Sequence, residues 1–524
     1  MAADIDARTL KTWLSDGDEI ALIDVREAGQ FGEGHLFFAI PLPYSRFELG
    51  LPDLVPNPRV RLVLCDGGDG VAARAAKRAE GLGYQNIHIL TGGVAAWRGA
   101  GYTLFAGVNL PSKTFGELVE HHRHTPRVTA QELAAMRAAG DNMVIVDGRP
   151  FAEYHRMNIP GGICVPNGEL ALRIHDIAPD PRTKIVVNCA GRTRSIIGAQ
   201  TLIDFGIPNP VVALENGTQG WFLAGLTLEH GAERRHAAAP TQNTRGLTAH
   251  ARSLAEQHGV AAIAPAVAHG WLAGPARTTY LLDVRTAEEF AHNGLAGFLH
   301  APGGQLIQTT DQWVGVKGAR LVLADDEMVR APVVAAWLRQ LGHDACVLDD
   351  GVTAARALAW QRPAPPAPAA LPSITPAKTA VALASGTARV IDLRSGMTFR
   401  MGHVAGSAWS IRPRIATLAE PDKTMVLVSD DRDIAALAAR DLAEAGAKDI
   451  RLMAGSFGAW HAEKLAVAAT PDVPADADCI DFLFFTARRH DGDADAARQY
   501  LAWETGLLAQ LDEQERGVFR IGGG

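Results

Sequence analysis

Lys184-Ile-Val-Val-Asn-Cys189-Ala190-Gly191-Arg192-Thr193-Arg194-Ser195 reads as a buried strand ending on a cysteine, then a short loop, then the start of a helix. The run Ile185 to Val187 is β-branched and too short for a helix. Ser195 to Phe205 instead carries apolar residues at helical spacing and stops at Gly206. Cys189 is therefore predicted at a helix N-terminus, where unpaired N–H groups and the positive end of the dipole favour negative charge. Arg192 and Arg194 add two cations that the local pattern leaves unpaired. Each effect favours a thiolate over a thiol. The plainer reading, a small buried cysteine closing a strand, gives neither arginine a role.

Composition frames what this loop serves. The chain has 524 residues, enough for three or four domains of ordinary size. A hydrophobic content of 47% and a net charge of −8 describe a globular protein for which nucleic acid is not an expected partner. The N-terminus is acidic where a signal peptide needs basic residues, and no run of eighteen apolar residues occurs, so a cytoplasmic location without a membrane role is expected. The cysteines Cys65, Cys164, Cys189, Cys346 and Cys479 are far apart and lack metal-ligand spacing. Reduced thiols, no metal and no cofactor follow as expectations, with Cys164, Cys346 and Cys479 as packing residues.

The chain repeats itself four times. A strand closing on Asp-x-Arg recurs at Asp24-Val-Arg26, Asp147-Gly-Arg149, Asp283-Val-Arg285 and Asp392-Leu-Arg394. Phrases such as Gly-His35 and Gly-His403 follow, and a second apolar strand then ends at Cys65, Cys189, Ala324 or Ser429 before an alanine-rich helix. A last shared phrase runs Gly93 to Trp97, Gly217 to Trp221, and Gly455 to Trp460; the third copy, at Gly351, has lost its Trp. Strands alternating with helices imply small α/β modules, each a mostly parallel sheet with helices on both faces and a ligand site at the carboxyl ends of the strands. The expected units are 1–110, 125–236, 245–362 and 373–466, followed by a tail, 467–524. The stretches Leu110 to Arg127, Ala237 to Arg245 and Pro363 to Pro372 are expected to be connectors, with His121, His122 and His124 solvated. In the tail, Asp493 to Glu515 has helix-like apolar spacing, predicting an amphipathic helix that packs on another domain or on a second subunit as a homodimer contact.

On these residues the chain resembles a tandem of four rhodanese domains, over nearly its whole length to about residue 465. The resemblance implies a five-stranded parallel sheet in each module and a cysteine that accepts a sulfane sulfur from thiosulfate or a persulfide donor. The sulfur would pass to cyanide, a small thiol or a thioredoxin-like protein. Cys189 is then the nucleophile, with the N–H groups of Ala190 to Ser195 around its persulfide and Arg192 and Arg194 attracting the donor. Asp147 and Arg149, at the tip of the neighbouring strand, are expected to hold the loop and each other.

Two other classes compete. A cysteine-dependent phosphatase or arsenate reductase needs a wider ring of donors and an arginine six positions after the cysteine, where this chain has Ser195. A non-enzymatic rhodanese scaffold would make Cys189 vestigial. The sister loops differ from the Cys189 loop: Cys65 is a possible second site, but Asp66 and Asp69 replace the arginines and oppose a thiolate. Ala324 and Ser429 mark two units expected to be catalytically inert, serving as scaffold, cover or docking surface.

Overall fold

Four copies of one strand order account for most of the architecture. The computed structural model describes residues 2–239, 244–274, 276–358, 360–362 and 367–522; part of each of the two later connectors, at 240–243 and 363–366, lies outside them. Each unit forms a five-stranded, all-parallel sheet in which the first strand lies beside the fifth, then the fourth, second and third. In the second unit these are Arg127–Val128, Val211–Leu214, Lys184–Asn188, Met143–Asp147 and Ile163–Cys164. Lys184–Asn188 is central because Ile185, Val186 and Val187 are fully buried on both faces, as a parallel strand under helices requires. Its partner Met143–Asp147 is in register so that Asp147 lies opposite Asn188. The Asp-x-Arg signature thus ends one strand away from the cysteine loop.

Two boundaries differ from the sequence reading. The strand ends at Asn188, one residue before Cys189, and the helix after it spans Thr193–Asp204, beginning two residues earlier than its apolar spacing shows. Thr193 and Arg194 are polar, so periodicity alone does not reach them.

A larger correction concerns Leu110 to Arg127, read as a polar connector. It contains a 14-residue helix, Leu110–Arg123, with Pro111 in the first turn where its missing N–H costs nothing. Leu110, Phe115 and Val119 are buried, and the chemistry-bearing Lys113 and Glu117 are buried with them. This helix lies against Thr193–Asp204, and Phe115, Ile196 and Ile197 join one apolar core with residues of units one and three. His121, His122 and His124 are exposed, as expected.

The stretch Asp493 to Glu515 of the tail is divided rather than one helix. It runs as Ala494–Thr505, a 3-10 turn at Leu508–Gln510, and Glu513–Arg516. Ala497, Tyr500 and Glu504 form its buried face, which packs on this chain's own units. Among the described residues no helix is long and apolar enough to cross a membrane.

Candidate active site

Cys189 sits in the loop between Asn188 and Thr193 and is only 2% exposed. Ser195 Oγ donates to its Sγ at 3.0 Å. The loop carbonyls are turned outward. Thr218 N–H donates to Cys189 O at 2.8 Å and Gln219 N–H to Ala190 O at 3.1 Å. Gly217, with φ +54°, makes this possible, since a Cβ there would meet Cys189 O at 2.3 Å. That is the physical content of the Gly-x-x-x-Trp phrase in this unit: its glycine grips the loop while Trp221, buried, anchors the helix behind it.

With the carbonyls committed outward, the N–H groups from Ala190 to Ser195 find no acceptor among the described residues. The sister loops differ at this point. Asp66, which stands at the position of Ala190, accepts from Gly68 N–H at 2.8 Å and Ala72 N–H at 2.9 Å. Asp325 accepts from Val329 and Arg330 N–H at 3.0 and 2.9 Å. In the fourth unit Asp431 accepts from Asp433 and Ile434 N–H. Three loops fill their own nests with a carboxylate; the Cys189 loop does not.

The arginines are placed otherwise than expected: neither is unpaired. Arg192 donates to Glu117 at 2.7 and 2.9 Å and also to Glu120, both on the helix Leu110–Arg123. Arg194 forms a bidentate pair with Glu153, both bonds 2.8 Å. A buried guanidinium without a carboxylate is costly, and the acids come from elements remote in sequence, which local pattern does not show. Asp147 and Arg149 pair with each other and bond no residue of the loop from Cys189 to Arg192. Arg149 holds Asp147 at 2.8 and 2.7 Å, and Asn188 Nδ2 donates to the same carboxylate at 2.8 Å, tying the two strand ends together. The same fork recurs at Arg26–Asp24, Arg285–Asp283 and Arg394–Asp392. A feature present in every unit is structural, and Asp147 and Arg149 do not reach the cavity over Cys189.

That cavity, of about 330 Å³, is composite. Lys113 comes from the helix between units one and two, Glu153 and the loop from unit two, Gln305, Gln308 and Thr309 from unit three, and Arg489, His490, Tyr500, Trp503 and Glu504 from the tail. Glu504 Oε1 accepts from Thr193 Oγ1 at 2.9 Å and Lys113 Nζ at 3.2 Å. Burial works against the Lys113 ammonium, but Glu504 and Tyr500 outweigh it and hold the amine charged. Burial, with Arg489 and Arg149 nearby, pushes His490 down to about 3, so its ring is neutral. The lining carries the cations Lys113, Arg192, Arg194 and Arg489 and the carboxylates Glu153 and Glu504, and Glu117 and Glu120 behind Arg192 bring the two signs level, so the backbone N–H groups rather than net charge favour an anionic guest. Sequence reasoning missed Lys113, Glu153 and the tail residues. Pro111 followed by apolar residues at helical spacing was a readable signal for the helix of Lys113; Glu504 has no local one.

Cys65 is fully buried in unit one, and burial followed by Asp24 raises its pKa well above the ordinary thiol value, Arg26 opposing and Asp66 adding to the rise. Cys164, Cys346 and Cys479 are likewise buried and outside any such loop.

A parallel sheet with the order found here, repeated four times, with a cysteine loop at the carboxyl end of the central strand in units one and two, defines the class. The rhodanese-like domain family matches residues 6–100, 129–224, 267–358 and 375–463, and the chain belongs to that family. Over 99% of its length, and 99% of the other chain, it is similar to the crystal structure of a thiosulfate sulfurtransferase from Pseudomonas aeruginosa, with 41% identity and a TM-score of 0.88. Over 109 residues it is 27% identical to a sulfurtransferase of Allochromatium vinosum, covering 20% of this chain and 97% of that protein. Another 109-residue match, at 35% identity, is to an HTH-type transcriptional regulator of Mycobacterium tuberculosis; it covers 21% of this chain and 47% of the regulator.

Proposed function

We propose that the protein is a sulfurtransferase that carries a sulfane sulfur on Cys189, taken from thiosulfate or a persulfide donor and given to a thiol or cyanide. The observation that carries this reading is the unclaimed nest of N–H groups from Ala190 to Ser195 around Cys189, where the three sister loops spend theirs on an internal carboxylate. A donor anion enters the cavity, where Lys113, Arg192, Arg194 and Arg489 stand beside the unclaimed N–H groups. The Cys189 thiolate attacks the outer sulfur of thiosulfate, the S–S bond breaks, and sulfite leaves with the electron pair. The persulfide anion that remains is held by the backbone N–H groups, which are fixed before it forms and so cost no reorganisation. An acceptor thiolate or cyanide then attacks the outer sulfur, and Sγ recovers its electron pair. Ser195, standing where a phosphatase would place its arginine, donates to Sγ instead. The similarity to the Pseudomonas thiosulfate sulfurtransferase supports the same choice of donor.

The test is intact mass after incubation with thiosulfate. A gain of one sulfur atom is expected in the wild type and in Cys65→Ser, and none in Cys189→Ser. An adduct that survives Cys189→Ser overturns the assignment, and hydrolysis of an aryl phosphate lost in Cys189→Ser would replace it with phosphatase chemistry.

A further inference from the structure

We propose that the C-terminal segment closes the Cys189 cavity to protein partners, so that the sulfur acceptor is a low-mass thiol rather than a thioredoxin-like carrier. This rests on the persulfide reading above. The helix Ala494–Thr505 lies as a roof over the loop. A Cβ at Gly191 would come within 2.9 Å of Glu504 Oε2 and 3.1 Å of Tyr500, so the roof touches the loop's own backbone. It is pinned on three sides. Glu504 is bonded to Thr193 and Lys113, and Lys113 Nζ also donates to Tyr500. Trp503 Nε1 donates to Ala106 O at 3.0 Å, and its ring occupies the space of a side chain at Gly107, where a Cβ would lie 2.2 Å away. Beyond the helix, Leu507 and Leu511 are buried with Phe37, Phe105 and Leu110, and Arg520 N–H donates to Gln340 O at 2.8 Å.

Size follows from this enclosure. With about 330 Å³, the cavity lies at the small end of the range of small-molecule sites. That admits thiosulfate or a thiol of several heavy atoms. A protein cysteine has one carbon between its sulfur and its backbone, so to reach Sγ it must bring its main chain and neighbours into the same space. Polarity points to the same guest, since Lys113, Arg489 and Glu504 in the lining suit a small hydrophilic acceptor. In the transfer, the acceptor's thiol proton goes to solvent and its thiolate attacks the outer sulfur. The Sγ–S bond breaks with its electron pair returning to Sγ, and the acceptor leaves as a persulfide.

The experiment loads the full-length protein with thiosulfate and confirms the added sulfur by intact mass; failure at this step overturns the persulfide reading and leaves enclosure as a structural feature only. Loaded protein is then mixed with cysteine, 2-mercaptoethanol or reduced thioredoxin at equal thiol concentration, and loss of the sulfur is followed in time. The small thiols are expected to discharge it on the order of 100-fold faster than thioredoxin, and the gap is expected to narrow at least about ten-fold in Trp503→Ala. Thioredoxin discharging the wild type as fast as the small thiols overturns the proposal, as does a folded Trp503→Ala with an unchanged ratio. The wild-type comparison decides alone if that variant does not fold.

Discussion

Ala190 is a small residue with a large consequence. Its methyl group stands where Asp66 and Asp325 place carboxylates that bond the helix N-terminus behind them. Those carboxylates satisfy the local donors and stabilise their helices, but they exclude an outside anion from the same N–H groups. Ala190→Asp is accordingly expected to lower the rate of sulfur loading by about 100-fold or more while leaving the melting temperature equal or higher, checked by mass-resolved loading kinetics beside thermal unfolding. Gly217 is the complementary case. Gly217→Ala forces a Cβ against Cys189 O at a positive φ, and a loss of about 1–3 kcal/mol in denaturant unfolding is expected, together with slower loading because the loop must shift.

The helix Leu110–Arg123 explains why two arginines beside a cysteine do not amount to two free cations. Arg192 reaches back to Glu117 and Glu120, so one helix both fixes the loop's position and neutralises a charge of its rim. Removing a single acid leaves a buried guanidinium with reduced compensation. Glu117→Ala is therefore expected to cost about 2 kcal/mol, less than a lone buried pair would because Glu120 and Asn216 still contact Arg192. Urea unfolding of Glu117→Ala against a Glu117→Ala, Glu120→Ala double variant checks this, the double variant being expected to lose more than the sum of its parts.

The other copies support the Cys189 unit by packing. Units one, two and three share one apolar core, and Gln305, Gln308 and Thr309 of unit three complete the wall over Cys189, which is the cover role among those expected for a unit without a cysteine. Unit four has its own cores and joins unit one largely through ions. Arg412 binds Glu48 at 2.6 and 2.8 Å and Asp441 at 3.2 Å, and Arg78 binds Asp441 at 2.8 Å. Arg412→Ala takes from Glu48 its bidentate partner and leaves Asp441 to Arg78 alone, and a loss of about 3 kcal/mol is expected, seen in calorimetry as unit four melting earlier than the rest. Acid should weaken the whole molecule for a separate reason. His35, stacked on Phe31 at 3.7 Å, is driven down to about 4 by burial, with Arg26 contributing. The unfolded chain takes up this proton near pH 6.5 and the folded one only near 4, so its contribution is complete above pH 6.5 and lost as the pH falls between those values. The melting temperature is expected to drop across that window, and His35→Gln to flatten the drop from a lower starting stability.

The repeats, the parallel α/β class, the position of Cys189 and the pairing of Asp147 with Arg149 were all legible in the chain because each depends on residues close in sequence: hydrophobic period, a turn glycine, a fork two residues long. The replacement of the cysteine by Ala324 and Ser429 was legible for the same reason. What could not be read were the partners of Arg192 and Arg194, the walls contributed by unit three, and the roof formed by Tyr500 and Glu504. Glu504 is 311 residues from Thr193, to which it bonds, and no periodicity spans that distance. The sequence alone determined which cysteine lies in a short loop with two arginines and no acid, at the start of a helix. Only tertiary packing decided how much of the surrounding charge is free, and how large a partner can reach the sulfur, because both depend on side chains brought together by the burial of one unit against another.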